Sequence, residues 1–399
     1  MGSGGRVLIA GGGIAALEGL LAIRDLTNGE ADITLLSPER EFTYRPLLVL
    51  EPFSPELADR RDLPSLVAEQ SASFIEGRLA GVDDGAGIAR TGSGEAIEFD
   101  QALVAIGARQ VPALEAAHTL WVDPVPTGID TLLDRAAEAG GLDLIVPGGI
   151  SWPLPLYEFA LMARRRVQER DEETPIRILT PEQAPLIIFG PAASAEVAAL
   201  LEARGIEVSA GLWVGQEDGE VVAHGAGAAP AGYPVALPAM EGIPIDGLPA
   251  DEHGFVPLAE GARVQGLGRT WAAGDGTSFP VKQGGIATQQ ADLAAAGIAA
   301  ALGHDVEPGD QRPVLRGKLL TGTESINMRA ELAGGAGESI VSSDYLWWPP
   351  HKVSGRYLAP LLAADSLRIE SEPPARSHDI EVPLEGSAPS LHGEGRGSA

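Results

Sequence analysis

A short apolar run, a cluster of glycines and a helix-period pattern follow one another in "RVLIAGGGIAALEGLLAIRDL", residues 6–26. A second apolar run, "ADITLLS", occupies residues 31–37. Strand, glycine turn, helix and strand within about 30 residues make a βαβ unit, which requires a parallel sheet covered by helices. Within the turn, Gly11, Gly13 and Ala16 stand at the three small-residue positions of G-x-G-x-x-G, with alanine at the third. The first permits a tight turn, the second lets backbone approach a pyrophosphate, and the third lets helix and sheet pack closely. Free N–H groups and roughly half a positive charge at the helix start favour a phosphate there. The second strand of such a unit should end in an acidic residue that holds a ribose hydroxyl. Here Ser37 and Pro38 come first and Glu39 follows, so Ser37 or Glu39 takes that place.

The pattern then repeats. "QALVAIGA" (101–108) reads as a buried strand ending at Gly107, and "TGIDTLLDRAAEAG" (127–140) as a helix capped by Thr127. "LDLIVPGG" (142–149), "PLYEFALMARRRVQER" (155–170), "PIRILTPE" (175–182) and "SAEVAALLEARG" (194–205) alternate strand and helix as a second doubly wound unit. Residues 225–250, rich in Gly, Ala and Pro, read as irregular connection. "RTWAAGDGTSF" (269–279) is a strand entering a tight turn, and an Ala-rich helix follows at 284–302. The fold class expected is α/β, with two doubly wound Rossmann-like units and a short C-terminal segment. The divisions are 1–115, a second unit at 116–235, a return to the first at 236–315, a covering segment at 316–365 and a disordered tail at 366–399.

Composition narrows the chemistry. The chain has no cysteine, so it carries no disulfide, iron–sulfur cluster, thiolate zinc site or redox dithiol. Seven histidines are scattered without ligand spacing, and no metal is expected. Acidic residues outnumber basic ones 56 to 28, for a formal charge of −28. That balance repels nucleic-acid phosphates and anionic lipid surfaces, so no nucleic-acid partner is expected. No apolar run reaches the roughly 18–20 residues of a membrane span, and the first strand begins too early for a signal peptide. A cytoplasmic protein is expected, with peripheral membrane contact left open.

A second motif lies far along the chain and points to the same site. In "TWAAGD", Thr270 to Asp275, a strand ends through Gly274 in a carboxylate, and "KQGGIATQQAD" opens the next helix. This resembles the second FAD motif of the two-dinucleotide-binding-domain flavoproteins, where the aspartate contacts ribityl and pyrophosphate oxygens. "ITLLSPEREFTYRPLL", "FDQALVAIGA", "GFVPLAEGARVQGLGRTWAAGD" and "PVKQGGIATQQAD" together resemble the sulfide:quinone oxidoreductase and type II NADH dehydrogenase group. The middle segment, "VPGGISWPLPLYEFALMARR", is closer to the sulfide:quinone branch. Pro153 and Pro155 stand where a phosphate-cradling helix start would otherwise be expected.

The resemblance implies FAD as cofactor and cofactor contacts from Gly11, Gly13, Ala16, Ser37, Glu39, Gly107, Gly274 and Asp275. It places Lys282 and Gln283 near the flavin, where a cation would tune the ring; the alternative is a solvated lysine at a helix start. It also puts the aromatic stretch 345–364 over the flavin, so Trp347, Trp348 and Tyr357 either border an acceptor slot or simply pack on the domain. The family's persulfide cysteines are absent, and what remains is transfer from a small-molecule donor through flavin to an acceptor such as a quinone. Two alternatives stay open: an NAD(P)H dehydrogenase with an atypical nicotinamide site, and a flavin-binding module without turnover.

Overall fold

The computed structural model describes residues 4–123, 128–225, 231–307, 309, 312–332 and 339–365. Two five-stranded parallel sheets organise them. In the first, the strands run Thr270–Ala272, Gln101–Val104, Arg6–Ala10, Asp32–Ser37 and Ser73–Glu76 across the sheet. All neighbours are parallel, with Val7 opposite Ile33 on one side and Gln101 on the other. Helices cover this sheet, so its central strands are buried almost throughout and read as continuous apolar runs. Thr270–Ala272 pairs with Gln101–Val104, which brings the two distant motifs to one sheet edge.

Helices Ile14–Leu26 and Gly284–Ala301 pack against each other over this sheet. Small residues make the approach close. A Cβ at Gly19 would sit 2.4 Å from the Leu103 side chain, and one at Gly297 would sit 2.2 Å from the Trp271 ring. The Ala-rich composition of Gly284–Ala301 is therefore a packing requirement; thirteen of its residues are buried.

In the second sheet the order is His118–Thr119, Tyr233–Ala236, Leu142–Ile145, Ile176–Leu179 and Ile206–Ser209. The strand Tyr233–Ala236 corrects the expectation of irregular chain over 225–250. It pairs with Leu142–Ile145 and His118–Thr119, yet it is only four residues long and contains Pro234. Buried Asp143 fixes its approach by accepting N–H bonds from Ala231 and Gly232 (2.8 Å each) and a bidentate pair from Arg177. The helix expected to be capped by Thr127 is Ile129–Glu138 with Gly128 at the cap, and Thr127 lies outside the described residues. So does the tail from 366.

Beyond the two sheets, Val314–Leu319, Ile326–Glu331 and Ser339–Ser342 form an antiparallel sheet. Chain then leads to the final helix, Leu358–Asp365. Its entry is fixed on Glu18, a fully buried residue of helix Ile14–Leu26, which accepts the N–H groups of Tyr357 (2.9 Å) and Leu358 (2.8 Å). Asp292, on the facing helix, meets Glu18 in the same buried place. Burial and the Glu18 charge push the Asp292 carboxyl well above the ordinary carboxylate range, so the pair keeps a proton.

A carboxyl raised on folding contributes stability in full below its unfolded value, near pH 4, and loses that contribution as pH rises through the folded value. Asp292→Asn removes the titration. Its melting temperature should therefore gain on the wild type progressively between pH 4 and 8. Parallel melting profiles for the two proteins would contradict the shared proton. Among the described residues, no helix is long and apolar enough to cross a membrane.

Candidate functional site

A cleft of about 1720 Å³ runs along the carboxyl end of the first sheet and reaches the second. That exceeds the roughly 300–1,000 Å³ of ordinary small-molecule pockets and suits a dinucleotide with room beside it. Its inner wall is the glycine turn. Gly11 has φ +129°, and a Cβ there would lie 2.1 Å from the carbonyl oxygen of Ala105. Gly13 differs: its φ is −95°, and a Cβ would meet no heavy atom within 4 Å. Gly11 is thus required by the fold, whereas Gly13 leaves open space facing the cleft. No side chain caps the helix that starts after Gly13, so its first N–H groups face the cleft unmatched. Ala16 is fully buried beneath the turn and packs in the core.

Across from the turn, Asp275 lines the cleft at the end of strand Thr270–Ala272. No described residue donates a hydrogen bond to its carboxylate. Burial raises its pKa, and the nearby Lys282 and Arg45 pull the other way. Gly274 before it has φ +86°, and its N–H donates to the Gln290 amide oxygen at 2.8 Å. Gln290 is buried and holds the turn so that Asp275 projects into the cleft. Gly107 (φ +68°) lies at the adjacent strand end, where a Cβ on Gly276 would come within 2.7 Å of its carbonyl oxygen.

The two residues expected at a ribose are unequal. Ser37 is buried, and its hydroxyl accepts the Glu39 N–H at 3.2 Å and sits against Gly12. Glu39 is exposed at the cleft rim, and its carboxylate is free of partners among the described residues. Both line the cleft, Glu39 exposed at its rim and Ser37 buried in its wall.

Lys282 and Gln283 both line the cleft but do different things. Lys282 Nζ lies 3.7 Å above the Phe255 ring and donates to the Thr277 carbonyl. Burial lowers its pKa to about 8, against the opposing charges of Asp275 and Asp251. Gln283 is the N-cap of helix Gly284–Ala301. Its amide oxygen accepts the Ile286 N–H at 2.9 Å, and its amide nitrogen donates to the Arg316 carbonyl at 2.9 Å. Both ends of that amide are engaged within the protein.

Trp347, Trp348 and Tyr357 are not among the residues that line the cleft. Trp347 is buried, with its indole N–H on the His351 carbonyl at 2.8 Å. Trp348 is 45% exposed and packs edge-on with Tyr345, and Tyr357 donates to Asp25 at 2.9 Å. Besides Lys282, the cations Arg45, Arg60, Arg78, Arg316, Lys318 and Lys352 line it, and they carry no signature in local sequence.

The second sheet presents its own glycines to the cleft, at 148 and 149. The following helix, Leu154–Glu169, has Pro153 at its cap and Pro155 in its first turn, which removes N–H donors a phosphate would use. The Trp213 ring packs directly on this turn, since a Cβ at Gly148 would fall 2.3 Å from it.

No protein-family model matches the chain, and no curated protein matches it by sequence. Solved structures do. The sulfide:quinone oxidoreductase of the hyperthermophilic bacterium Aquifex aeolicus superposes with a TM-score of 0.75 at 19% identity, over 84% of this chain and 86% of that one. The two chains share a fold. A ferredoxin reductase from Rhodopseudomonas palustris gives a TM-score of 0.60 at 21% identity, over 82% and 83% of the two chains. A NAD-dependent persulfide reductase from A. fulgidus gives 0.57 at 17% identity, over 82% of this chain and 64% of the other.

The cleft's own features suit a dinucleotide. The cleft combines an open glycine position, an uncapped helix start and a carboxylate without protein partners among the described residues, all lining one cleft.

Proposed function

We propose that the protein is a FAD-dependent oxidoreductase that passes electrons from a small donor through flavin to an acceptor such as a quinone. The observation that carries this reading is the meeting of Gly13 and the unpartnered Asp275 in one cleft, from motifs far apart in the chain. The Gly11–Gly13 turn and the helix start would hold the pyrophosphate, Asp275 would take ribityl hydroxyls, and Glu39 would take the adenosine ribose. When bound, the flavin supplies the hydride and electron chemistry. The chain itself contains no cysteine, so its side chains offer no thiolate to form a persulfide or disulfide. An anaerobic stopped-flow screen of donors, read at the flavin absorbance, tests the activity. Reduction by at least one small donor and reoxidation by a quinone are expected. A flavin reducible only by strong chemical reductants would contradict the proposal and favour a binding module without turnover.

Lys282 places a cation on the cleft wall beside Asp275. That charge favours a bound group that gains negative charge on reduction. Lys282→Met should therefore lower the flavin midpoint potential by about 30 mV, which is about 1.4 kcal/mol for two electrons. The lysine loses its charge as pH rises through about 8, so the difference between the two proteins should shrink above that pH. Equal potentials with intact flavin would return Lys282 to a packing role on Phe255.

NADH and NADPH should reduce the flavin slowly or not at all. The prolines at 153 and 155 and the Trp213 ring on Gly148 leave the second turn poorly furnished for a pyrophosphate. Stopped-flow mixing with either nucleotide checks this, and reduction within tens of milliseconds would establish a working nicotinamide site.

A further inference from the structure

The hairpin of strands Val314–Leu319 and Ile326–Glu331 brings unbalanced positive charge to the cleft. Leu315 and Leu319 point into the hydrophobic core of the second unit, so Arg316 and Lys318 share the opposite face, and both line the cleft. Arg316 is only 3% exposed. Its guanidinium donates no hydrogen bond to any described residue, and its Nε is buried without a partner. Directly across the ladder stands Arg329, another arginine whose Nε is buried and unpartnered. Like charges opposed in this way are destabilising.

Arg329 reaches the Glu331 carboxylate at 3.5 Å, but among the described residues no carboxylate reaches Arg316. The charges that act on Arg316 and Lys318 are Arg329 and Lys352, both cations. Lys318 donates to a neutral acceptor, the Pro350 carbonyl at 2.9 Å, and lies 5.6 Å from the centre of the Tyr345 ring. The buried acid closest in function, Glu158, is already matched by Lys352 and by the Leu320 N–H at 2.9 Å. Burying a cation without a counter-charge costs several kcal/mol in general, and a chain with 56 acidic residues has had ample means to supply one.

We propose that Arg316 and Lys318 form a subsite for a small oxyanion, so that the electron donor taken into this cleft is itself anionic. A planar guanidinium fork with no protein partner matches an edge of two oxygens, as a carboxylate or an inorganic oxyanion presents. The inference deepens the oxidoreductase reading and rests on it for the word donor; the subsite itself does not depend on flavin.

The test is calorimetric titration of the purified full-length protein with acetate and, separately, with sulfate at constant ionic strength, after its flavin absorbance has been recorded. Saturable binding of at least one anion is expected; acetate alone would indicate a carboxylate substrate, and sulfate alone an inorganic oxyanion. Arg316→Met should weaken that binding about tenfold or more, with flavin content unchanged and a melting temperature no lower than wild type, and Arg316→Lys should recover part of the binding. Lys318→Met should weaken it as well, and it serves in place of Arg316→Met if that variant does not fold. Absence of binding to both anions, or binding by the Met variants equal to wild type, would overturn the subsite. So would a folded Arg316→Met protein that has lost its flavin, because the arginine would then be serving the cofactor. A colourless wild-type protein that still binds acetate or sulfate through Arg316 would retain the subsite and refute the flavin reading alone.

Discussion

Gly13→Val should give a folded protein without flavin. The native φ of −95° suits any residue, and the added side chain would enter open cleft instead of protein. Loss at the helix cap is the remaining cost, about 1 kcal/mol at most. Circular dichroism and melting of the apoprotein should therefore match wild type within a few degrees, while the visible flavin bands disappear. Gly11→Val, two residues earlier, should behave in the opposite way. Its φ of +129° is unsuited to valine, and the Cβ would press on the Ala105 carbonyl oxygen. Strain and overlap together should remove about 3 kcal/mol or more of stability, seen as loss of soluble protein. A Gly13→Val protein that still fills with flavin would show that the open space at this turn is not where a phosphate sits.

Asp275→Ala should lower flavin occupancy while making the empty protein more stable. A charge-assisted hydrogen bond contributes about 1.5–3 kcal/mol, so its loss should weaken binding roughly ten- to hundredfold. The stability effect follows from the raised pKa of a carboxylate with no protein donor. Its contribution to folding is full below its unfolded value near pH 4 and is lost as pH rises through the folded value, leaving a poorly solvated charge at neutral pH. Removing it should raise the apoprotein melting temperature above that of wild-type apoprotein at pH 7, and by less at pH 4. A fully loaded Asp275→Ala protein would take away the second anchor of the site.

Much of this was legible because it is local. The turn at Gly11–Gly13 and the strand ending in Asp275 announce themselves within a few residues, and their agreement in chemistry places them in one site before any coordinate is known. The strand Tyr233–Ala236 could not be read in this way. It has four residues, one of them proline, and its place inside the second sheet is fixed by Asp143, far away in sequence. Gln283 lines the cleft and also caps the alanine-rich helix, a role that serine, threonine, asparagine or aspartate would have signalled more clearly. The aromatic stretch was read from residue type and from the resemblance, with an acceptor slot and simple packing as the two alternatives. Trp347 is turned inward by its bond to the His351 carbonyl, and Tyr357 is turned toward Asp25, away from the cleft lining. Arg316 escaped notice for the converse reason. A lone arginine in a strand is unremarkable until the register sets Arg329 opposite it and no acid beside it.

The cleft's occupant decides what the protein can do. The most direct measurement is of the cofactor itself: the full-length protein is purified, heated to unfold it, and the released small molecule identified by mass and counted by absorbance. About one FAD per chain, released without cleavage of a covalent bond, is the expected result, with refilling of the apoprotein at the same ratio. A colourless protein that takes up no FAD when supplied with it would contradict the central claim.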